Sequence, residues 1–238
     1  RGWRTVKGGP ILTAAQMRAA EQAAFDTGVD DYGLMETAGA AAAEIIWRAG
    51  HKRDALILCG PGNNGGDGLA IAGLLKALGA TVEVYLIDAE RYSADNAENQ
   101  EKLGHERIRM FNLEDILAFE RDAIILDCLF GFGLNTALSS EWRGIIDQIN
   151  AARAVRISVD MPSGLSCETH ITVDSPIIRA DRVYTFQVPK LNLLLPEYGE
   201  FAKSFSILDI GLDTEAMEGQ ETNMHYLTAK SVKSLVPI

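Results

Sequence analysis

Short runs of consecutive apolar residues alternate along the chain with segments in which apolar residues recur at helical spacing. The first run is Ala55-Leu56-Ile57-Leu58-Cys59, and Gly60-Pro61-Gly62 bounds it on its carboxyl side. A continuous apolar run of this length is typical of a strand that is buried on both faces of a parallel sheet. Similar runs predict further strands at 81–87, 107–110, 123–126, 155–159, 182–186 and 204–210.

The segments between these runs predict helices. Thr13 and Gln16 have the spacing of a helix N-cap and its capping-box partner. Helices are predicted from 13 to about 27, and at 32–47, 67–78, 93–103, 113–119 and 141–151. The alternation predicts an α/β fold with a mainly parallel sheet covered by helices on both faces. Residues 211–238 do not complete a domain, so we expect a linker or tail there, leading toward a further domain.

The composition disfavours several classes of partner. The 238 residues include 22 Lys and Arg against 33 Asp and Glu, a formal charge of −11. A chain with this charge and no basic patch repels nucleic acid and anionic lipid, and no apolar run approaches the length of a membrane-spanning helix. The three cysteines are scattered without CxxC spacing, which argues against a disulfide framework or a zinc site. We expect a cytoplasmic protein that binds neither nucleic acid nor membrane.

A glycine-rich segment follows the first strand. Residues 60–68 contain the spacing Gly60-x-Gly62-x-x-Gly65, which is typical of a dinucleotide-binding loop. We expect the next helix to begin near Asp67, where a carboxylate suits the helix N-terminus but disfavours a bound phosphate. Asn63 and Asn64 add side-chain amides. The segment is therefore expected to bind a polar, hydrogen-bonded ligand, with room for a cation.

Two further loops begin at aspartates that end buried strands. Residues 131–136 follow the strand that ends at Asp127, and residues 161–165 follow the strand that ends at Asp160. The carboxyl ends of parallel strands form one crevice where the strand order reverses. We expect the two loops to converge there with the glycine-rich segment. Lys190, which follows a later strand, is expected either to reach this crevice or to be an ordinary surface lysine.

Together these motifs resemble the YjeF N-terminal domain family, the NAD(P)H-hydrate epimerases, over about residues 11–210. The resemblance rests on the 60–68 segment, Asp127-x-Leu129-Phe130-Gly131-x-Gly133, Val159-Asp160-x-Pro162-Ser163-Gly164, Ala15-x-Met17-x-x-x-Glu21 and Leu34-Met35-Glu36-x-Ala38-Gly39. It implies a three-layer, Rossmann-like α/β/α domain, a homodimer and a bound K⁺ ion. The implied reaction interconverts the R and S forms of hydrated NADH or NADPH (NADHX or NADPHX) at C6 of the nicotinamide ring, a repair of damaged cofactor.

The family's site residues carry over onto the positions of this chain that match its motifs. The implied substrate contacts are Asn63, Asn64, Gly65, Gly66, Asp67, Gly131, Phe132, Gly133, Leu134, Asn135, Thr136, Ala137 and Asp160. The implied potassium ligands are Asn64, Asp127 and Ser163, a set of oxygen donors that suits a hard cation. Inversion at C6 needs a proton shuttle. We expect Asp160 to provide it, with Lys190 as electrostatic help.

The resemblance also implies a role for the last segment of the chain. Bacterial members often carry an ADP- or ATP-dependent dehydratase domain after the epimerase domain, and residues 211–238 resemble the connector to it. The dehydratase motifs are absent from this chain, so no dehydration activity is expected of it.

Two other functions stay open on the sequence alone. The glycine spacing also suits an NAD(P)-dependent oxidoreductase, although no Tyr-Lys or histidine pair is evident near the predicted crevice. YjeF-like domains also occur as non-catalytic binding or scaffold domains in RNA-metabolism assemblies. The charge of −11 and the presence of Asp127 and Asp160 disfavour that role.

Overall fold

The computed structural model describes residues 9–26, 39–40, 42–48, 54–111, 123–134, 136–168, 170, 175–210 and 222–228. The predicted helix at 113–119, part of the predicted helix at 32–47, and Asn135 lie outside the described residues. Within the described ranges, no helix has the length and apolarity needed to cross a membrane.

The secondary structure alternates between strand and helix. The strands are β1 (Gly9–Pro10), β2 (Ala55–Cys59), β3 (Val82–Leu86), β4 (Ile108–Met110), β5 (Ile124–Cys128), β6 (Val155–Val159), β7 (Arg182–Phe186), β8 (Phe205–Leu208) and β9 (His225–Tyr226). The α-helices with defined bounds are α1 (Ala14–Asp26), α2 (Asn63–Ala77), α3 (Ala94–Leu103), α4 (Glu141–Ala151) and α5 (Leu191–Leu194). Residues 39–40 and 42–48 are helical as well, and short 3₁₀ turns lie at His105–Arg107 and Pro196–Tyr198.

A seven-stranded sheet forms the centre of the fold. Its order is β4-β3-β2-β5-β6-β7-β8, and every neighbouring pair is parallel. The chain first builds outward from β2 to β4 and then returns to β5 on the other side of β2. The order therefore reverses between β2 and β5, as predicted, and the carboxyl ends of these strands border one crevice.

The central strands are buried because helices cover both faces of the sheet. Along β2, Leu56 and Leu58 pack on the face covered by α4, whereas Ile57 and Cys59 pack on the face covered by α1 and α2. All four side chains are fully buried. This alternation confirms the predicted α/β/α layers, and it explains why the strand appears in the sequence as a continuous apolar run.

The hydrophobic runs predicted most element bounds closely. The bounds of β2, β6, β7 and α4 are as predicted, and the other predicted strands differ by one or two residues at one or both ends. One of these differences concerns a site residue: β5 ends at Cys128, so Asp127 lies within the strand rather than at its end.

The prediction that the helix after β2 begins near Asp67 is wrong, because α2 begins at Asn63. The glycines therefore form the first turns of a helix rather than a loop. Close packing explains them: a Cβ on Gly68 would lie 2.7 Å from Cys128 Cβ and 2.8 Å from Cys59 Sγ. Glycine is unfavourable inside a helix, but here it lets α2 approach β2 and β5 closely.

The N-terminal helix is anchored at its start and along the segment before it. The Gln16 N–H donates to Thr13 Oγ1 at 3.2 Å and the Thr13 N–H donates to Gln16 Oε1 at 2.9 Å, which confirms the predicted capping box. Strands β1 and β9 pair antiparallel, and Thr222 Oγ1 donates to the Ile11 carbonyl oxygen at 2.8 Å. Part of the segment expected to be a tail therefore packs beside the entry to α1.

Candidate active site

A pocket of about 520 Å³ opens where the strand order reverses. Its walls come from α1, from the first turns of α2 and from the loop after β5. The lining residues are Met17, Arg18, Glu21, Pro61, Gly62, Asn63, Asn64, Asp67, Leu129, Phe130, Gly131, Phe132, Gly133, Leu134, Asp160, Phe186, Lys190 and Ile210. The volume and the place in the fold are those of a small-molecule site.

Asp160 is fixed in this pocket from several sides. Its backbone has φ 66°, in the left-handed region, which aspartate adopts more readily than most residues but still at a cost in energy. Its Oδ2 accepts a hydrogen bond of 2.7 Å from the Phe132 N–H. Its Oδ1 lies 2.6 Å from Lys190 Nζ and accepts a longer bond of 3.4 Å from Thr185 Oγ1. The carboxylate is therefore held in one orientation beside one cation.

Lys190 is the buried counter-ion of Asp160. Its side chain is 3% exposed, so the alternative of an ordinary surface lysine is wrong. Besides the ion pair, the ammonium group donates to Thr185 Oγ1 at 2.9 Å and to the Phe186 carbonyl oxygen at 3.0 Å. An ammonium group has three hydrogens, and these three acceptors use all of them. Lys190 is thus placed to orient and neutralise Asp160.

Asp67 lines the same pocket without a comparable partner. Its carboxyl group makes no hydrogen bond or ion pair with any described residue. Burial raises the pKa of Asp67 well above its ordinary value, the negative charges of Asp160, Glu21 and Asp95 raise it further, and Lys190 opposes the rise. The pocket therefore holds an ion-paired carboxylate and a second carboxyl group whose pKa is raised.

Asn64 places a buried amide beside Asp160. The residue is 8% exposed, and neither its Oδ1 nor its Nδ2 has a hydrogen-bond partner among the described residues. Leaving such groups unpaired costs about 1–3 kcal/mol each, so the arrangement suits a ligand that pairs with them. A Cβ on Gly131 would lie 3.0 Å from Asp160 Oδ2 and 3.2 Å from Asn64 Cβ. Glycine at 131 therefore keeps the space between these two side chains open.

Asp127 lies behind the pocket and is fully buried. Its Oδ2 accepts from Ser158 Oγ at 2.7 Å and from the Ser163 N–H at 2.8 Å, while its Oδ1 accepts from Ser163 Oγ at 2.5 Å and from the Leu129 N–H at 3.3 Å. Burial raises the pKa of Asp127, and these hydrogen bonds oppose the rise. Ser163 Oγ also accepts from the Phe130 N–H at 2.9 Å. The network ties the loops after β5 and β6 together.

The residues that the sequence predicted for the site are not all brought to the pocket surface. Those that line the pocket are Asn63, Asn64, Asp67, Gly131, Phe132, Gly133, Leu134, Asp160 and Lys190. Those that lie in described segments but do not line it are Gly65, Gly66, Asp127, Thr136, Ala137 and Ser163. Asn135 lies outside the described residues.

Helix α1 contributes side chains that the sequence analysis did not assign to the site. Met17, Arg18 and Glu21 all line the pocket, as do Phe186 and Ile210. The four-residue spacing of Met17 and Glu21 puts them on one helix face. This spacing was the sequence feature that could have indicated a shared contact of the two residues. Where the face docks depends on the fold of the rest of the chain, which local spacing does not encode.

The fold and the pocket define a doubly wound α/β domain with a small-molecule site at its topological switch point. The profile of the family described as "YjeF-related protein N-terminus" matches residues 31–192. This chain belongs to that family.

Curated relatives are similar over most of this chain. The bifunctional NAD(P)H-hydrate repair enzyme Nnr of Salinibacter ruber is 34% identical, over 85% of this chain and 41% of the relative. The NAD(P)H-hydrate epimerase of Roseobacter litoralis is 38% identical, over 76% of this chain and 90% of the relative. The epimerase of Limosilactobacillus reuteri is 31% identical, over 81% and 91% respectively. The chain thus spans less than half the length of the bifunctional relatives and most of the length of the epimerases.

A solved structure shares the fold. The crystal structure of yeast ynu0 superposes with a TM-score of 0.65 at 23% sequence identity, over 76% of this chain and 81% of the yeast chain. Together with the seven-stranded parallel sheet, this likeness confirms the predicted three-layer α/β/α fold class.

Proposed function

We propose that this chain is an NAD(P)H-hydrate epimerase, an isomerase that interconverts the R and S forms of NADHX and NADPHX at C6. The observation that carries the proposal is the pair of pocket carboxyl groups in contrasting environments. Asp160 is paired with Lys190, whereas Asp67 lines the same pocket without such a partner among the described residues and has a raised pKa. The relatives named for this reaction favour it over an oxidoreductase or a scaffold role.

The contrast between the two carboxyl groups suits inversion at C6. This carbon carries a hydroxyl group and is bonded to the ring nitrogen, so inversion breaks one of these bonds and remakes it on the other face. Either route needs one group that accepts a proton and one that donates a proton. In our proposal Asp160 is the acceptor and Asp67 the donor, and the roles exchange in the reverse direction. Lys190 holds Asp160 in the orientation that this requires.

We further propose that Asn64, Asp127 and Ser163 hold a K⁺ ion. All three offer oxygen atoms, the ligands that hard cations prefer, and the Asn64 amide oxygen is buried without a partner among the described residues. Asp127 already accepts four hydrogen bonds, two of them from Ser163, so the ion would replace at least one of these donors at the carboxylate. A bound cation supplies positive charge to a pocket rich in carboxyl groups. The Asn64 Nδ2 hydrogens stay available to the substrate.

Three features of the whole protein belong to the same proposal. A homodimer rests on the family resemblance. Fusion to a dehydratase domain in the full-length protein is supported by the relatives named bifunctional repair enzymes. A cytoplasmic location fits the described cysteines, Cys59, Cys128 and Cys167, because all three are buried free thiols and cytoplasmic proteins keep their thiols reduced.

Asp160→Asn tests the proposal, because asparagine keeps the shape of the side chain but cannot carry the proton. We expect kcat for hydrate interconversion to fall about 10²–10⁴-fold, the usual contribution of a positioned acid–base group. Asp147→Asn, an exposed position on α4, is the matched control and should behave as wild type. The measurement is the exchange between chromatographically separated R and S hydrates at saturating substrate. A kcat of Asp160→Asn close to that of wild type would end the assignment.

A further inference from the structure

The pocket has little positive charge that a ligand can use. Among the described residues that line it, Glu21, Asp67 and Asp160 carry carboxyl groups, and Arg18 and Lys190 are cationic. All three ammonium hydrogens of Lys190 are bound within the protein. Arg18 is therefore the cationic side chain of the described lining that can bind an anion.

Arg18 lies on α1 above the loop that follows β5. Its Cζ is 5.6 Å from the centre of the Phe132 ring, a cation–π contact. Its Nη2 would be 3.8 Å from a Cβ on Gly133, and the structure gives it no ion pair with any described carboxylate. The residue is exposed to solvent, whereas Asp160 is 3% exposed. Arg18 thus marks the rim of the pocket and Asp160 its interior.

We propose that Arg18 binds the pyrophosphate of the dinucleotide substrate. This inference rests on the proposed function, which supplies the substrate class. A nicotinamide dinucleotide brings a doubly charged pyrophosphate to a chain whose formal charge is −11 and to a pocket lined by three carboxyl groups. The planar guanidinium group binds phosphate oxygens with two parallel hydrogen bonds. Its contact with Phe132 orients it for this role before the substrate arrives.

The start of α2 complements Arg18 at the pocket. Gly62 is the N-cap, has no side-chain capping bond, and lines the pocket together with Asn63. The first N–H groups of a helix have no partner within it and carry the positive end of the helix dipole. The pyrophosphate can therefore pair with Arg18 and with these N–H groups. The interior, where Asp160 and Asp67 lie, then remains for the nicotinamide ring.

Arg18→Gln removes the charge and keeps a polar, although shorter, side chain. We expect KM for both NADHX and NADPHX to rise about tenfold or more, because both charge-assisted hydrogen bonds of the guanidinium group are lost. We expect kcat to stay within about twofold of wild type, because the contact exists equally in the ground and transition states. Arg18→Lys should recover part of the affinity. Arg143→Gln, an exposed arginine on α4, is the matched control and should leave KM unchanged. Calorimetry with ADP-ribose, which contains the pyrophosphate but no nicotinamide, should show the same tenfold loss for Arg18→Gln.

The outcomes separate this inference from the proposed function. An active wild-type protein whose Arg18→Gln variant keeps its KM and its ADP-ribose affinity would overturn the inference and leave the function intact. A rise in KM confined to NADPHX would also overturn the inference, because such a result would place Arg18 at the ribose 2′-phosphate rather than at the pyrophosphate. A wild-type protein without hydrate interconversion would overturn the function. Weaker ADP-ribose binding by Arg18→Gln would still support the phosphate contact in that case.

Discussion

At the scale of single residues, Asp67 and Asp127 share a raised pKa but differ in their partners. The Asp67 carboxyl group has no hydrogen-bond partner among the described residues, whereas Asp127 accepts four hydrogen bonds. A carboxyl group with a raised pKa in the folded state binds its proton more tightly there than in the unfolded chain. Its contribution to the free energy of unfolding therefore falls as the pH rises from about 3.9 through the folded pKa.

Asp67→Asn removes this pH-dependent cost. The substitution should therefore raise the free energy of unfolding at about pH 7 and change the free energy of unfolding little at about pH 4. The variant should also turn over more slowly, because the proposed proton donor is gone. Urea denaturation at the two pH values measures the first effect and hydrate exchange the second. A variant that is less stable than wild type at neutral pH would contradict the account of Asp67 as a carboxyl group whose charged form is disfavoured in the folded protein.

Asp127→Asn should have the opposite effect on stability. Either orientation of the new amide points its NH₂ group at a backbone N–H, of Leu129 in one case and of Ser163 in the other. A buried N–H without an acceptor costs about 1–3 kcal/mol, so we expect a loss of that size in urea denaturation. Stability equal to that of wild type would show that the network does not hold the two loops together.

Asn64 provides the residue-scale test of the potassium site. Binding to the folded state raises the melting temperature as the cation concentration increases. We expect K⁺ to raise the Tm of the wild-type protein more than Na⁺ does at equal ionic strength, and Asn64→Ala to lose this difference. Asn64 is preferred to Asp127 here because Asp127 variants are expected to unfold more easily. An equal response of the wild-type Tm to the two cations would argue against the site.

At the scale of elements, the approach of α2 to the sheet depends on its glycines. A Cβ on Gly68 would meet Cys128 and Cys59 at 2.7–2.8 Å, whereas the nearest atom to a Cβ on Gly73 is 4.0 Å away. Gly68→Ala should therefore lower the free energy of unfolding by about 1–3 kcal/mol through overpacking. Gly73→Ala on the same helix should raise it by about 0.5–1 kcal/mol through helix propensity. Equal effects of the two substitutions in urea denaturation would rule out close packing as the reason for Gly68.

The same helix shows how far local patterns predict this fold. The buried strands were predictable because residues covered on both sides are apolar at every position. The start of α2 was not predictable, since glycines and asparagines are typical of turns, and their helical conformation depends on contacts with β5, about sixty residues away along the chain. The sequence indicated which loops converge on the crevice, because each of the two follows an aspartate close to the end of a buried strand. It did not show that Lys190 is buried against Asp160, or that α1 forms a wall of the pocket, because both depend on tertiary packing.

At the scale of the whole molecule, the described structure narrows the expected dimer surface. Residues 38–43 are all alanine or glycine and would offer a second subunit a face without large side chains, but Ala42 and Ala43 are buried in the core of the subunit itself. A dimer that uses this segment must therefore contact its other side. We expect light scattering at micromolar concentration to give twice the subunit mass of 25.8 kDa. A monomeric mass would contradict the homodimer.

We propose above all that this 238-residue chain inverts one carbon of the hydrated cofactor without net oxidation, reduction or dehydration. The most direct measurement starts two incubations, one from the pure R hydrate and one from the pure S hydrate, and follows both by chromatography and by the absorbance of the reduced nicotinamide. The account predicts that both reach the same R to S ratio at a rate proportional to protein concentration, with the total hydrate conserved and no reduced nicotinamide formed or consumed. Protein-dependent loss of hydrate, or two mixtures that stay at their starting compositions beyond the uncatalysed rate, would contradict it.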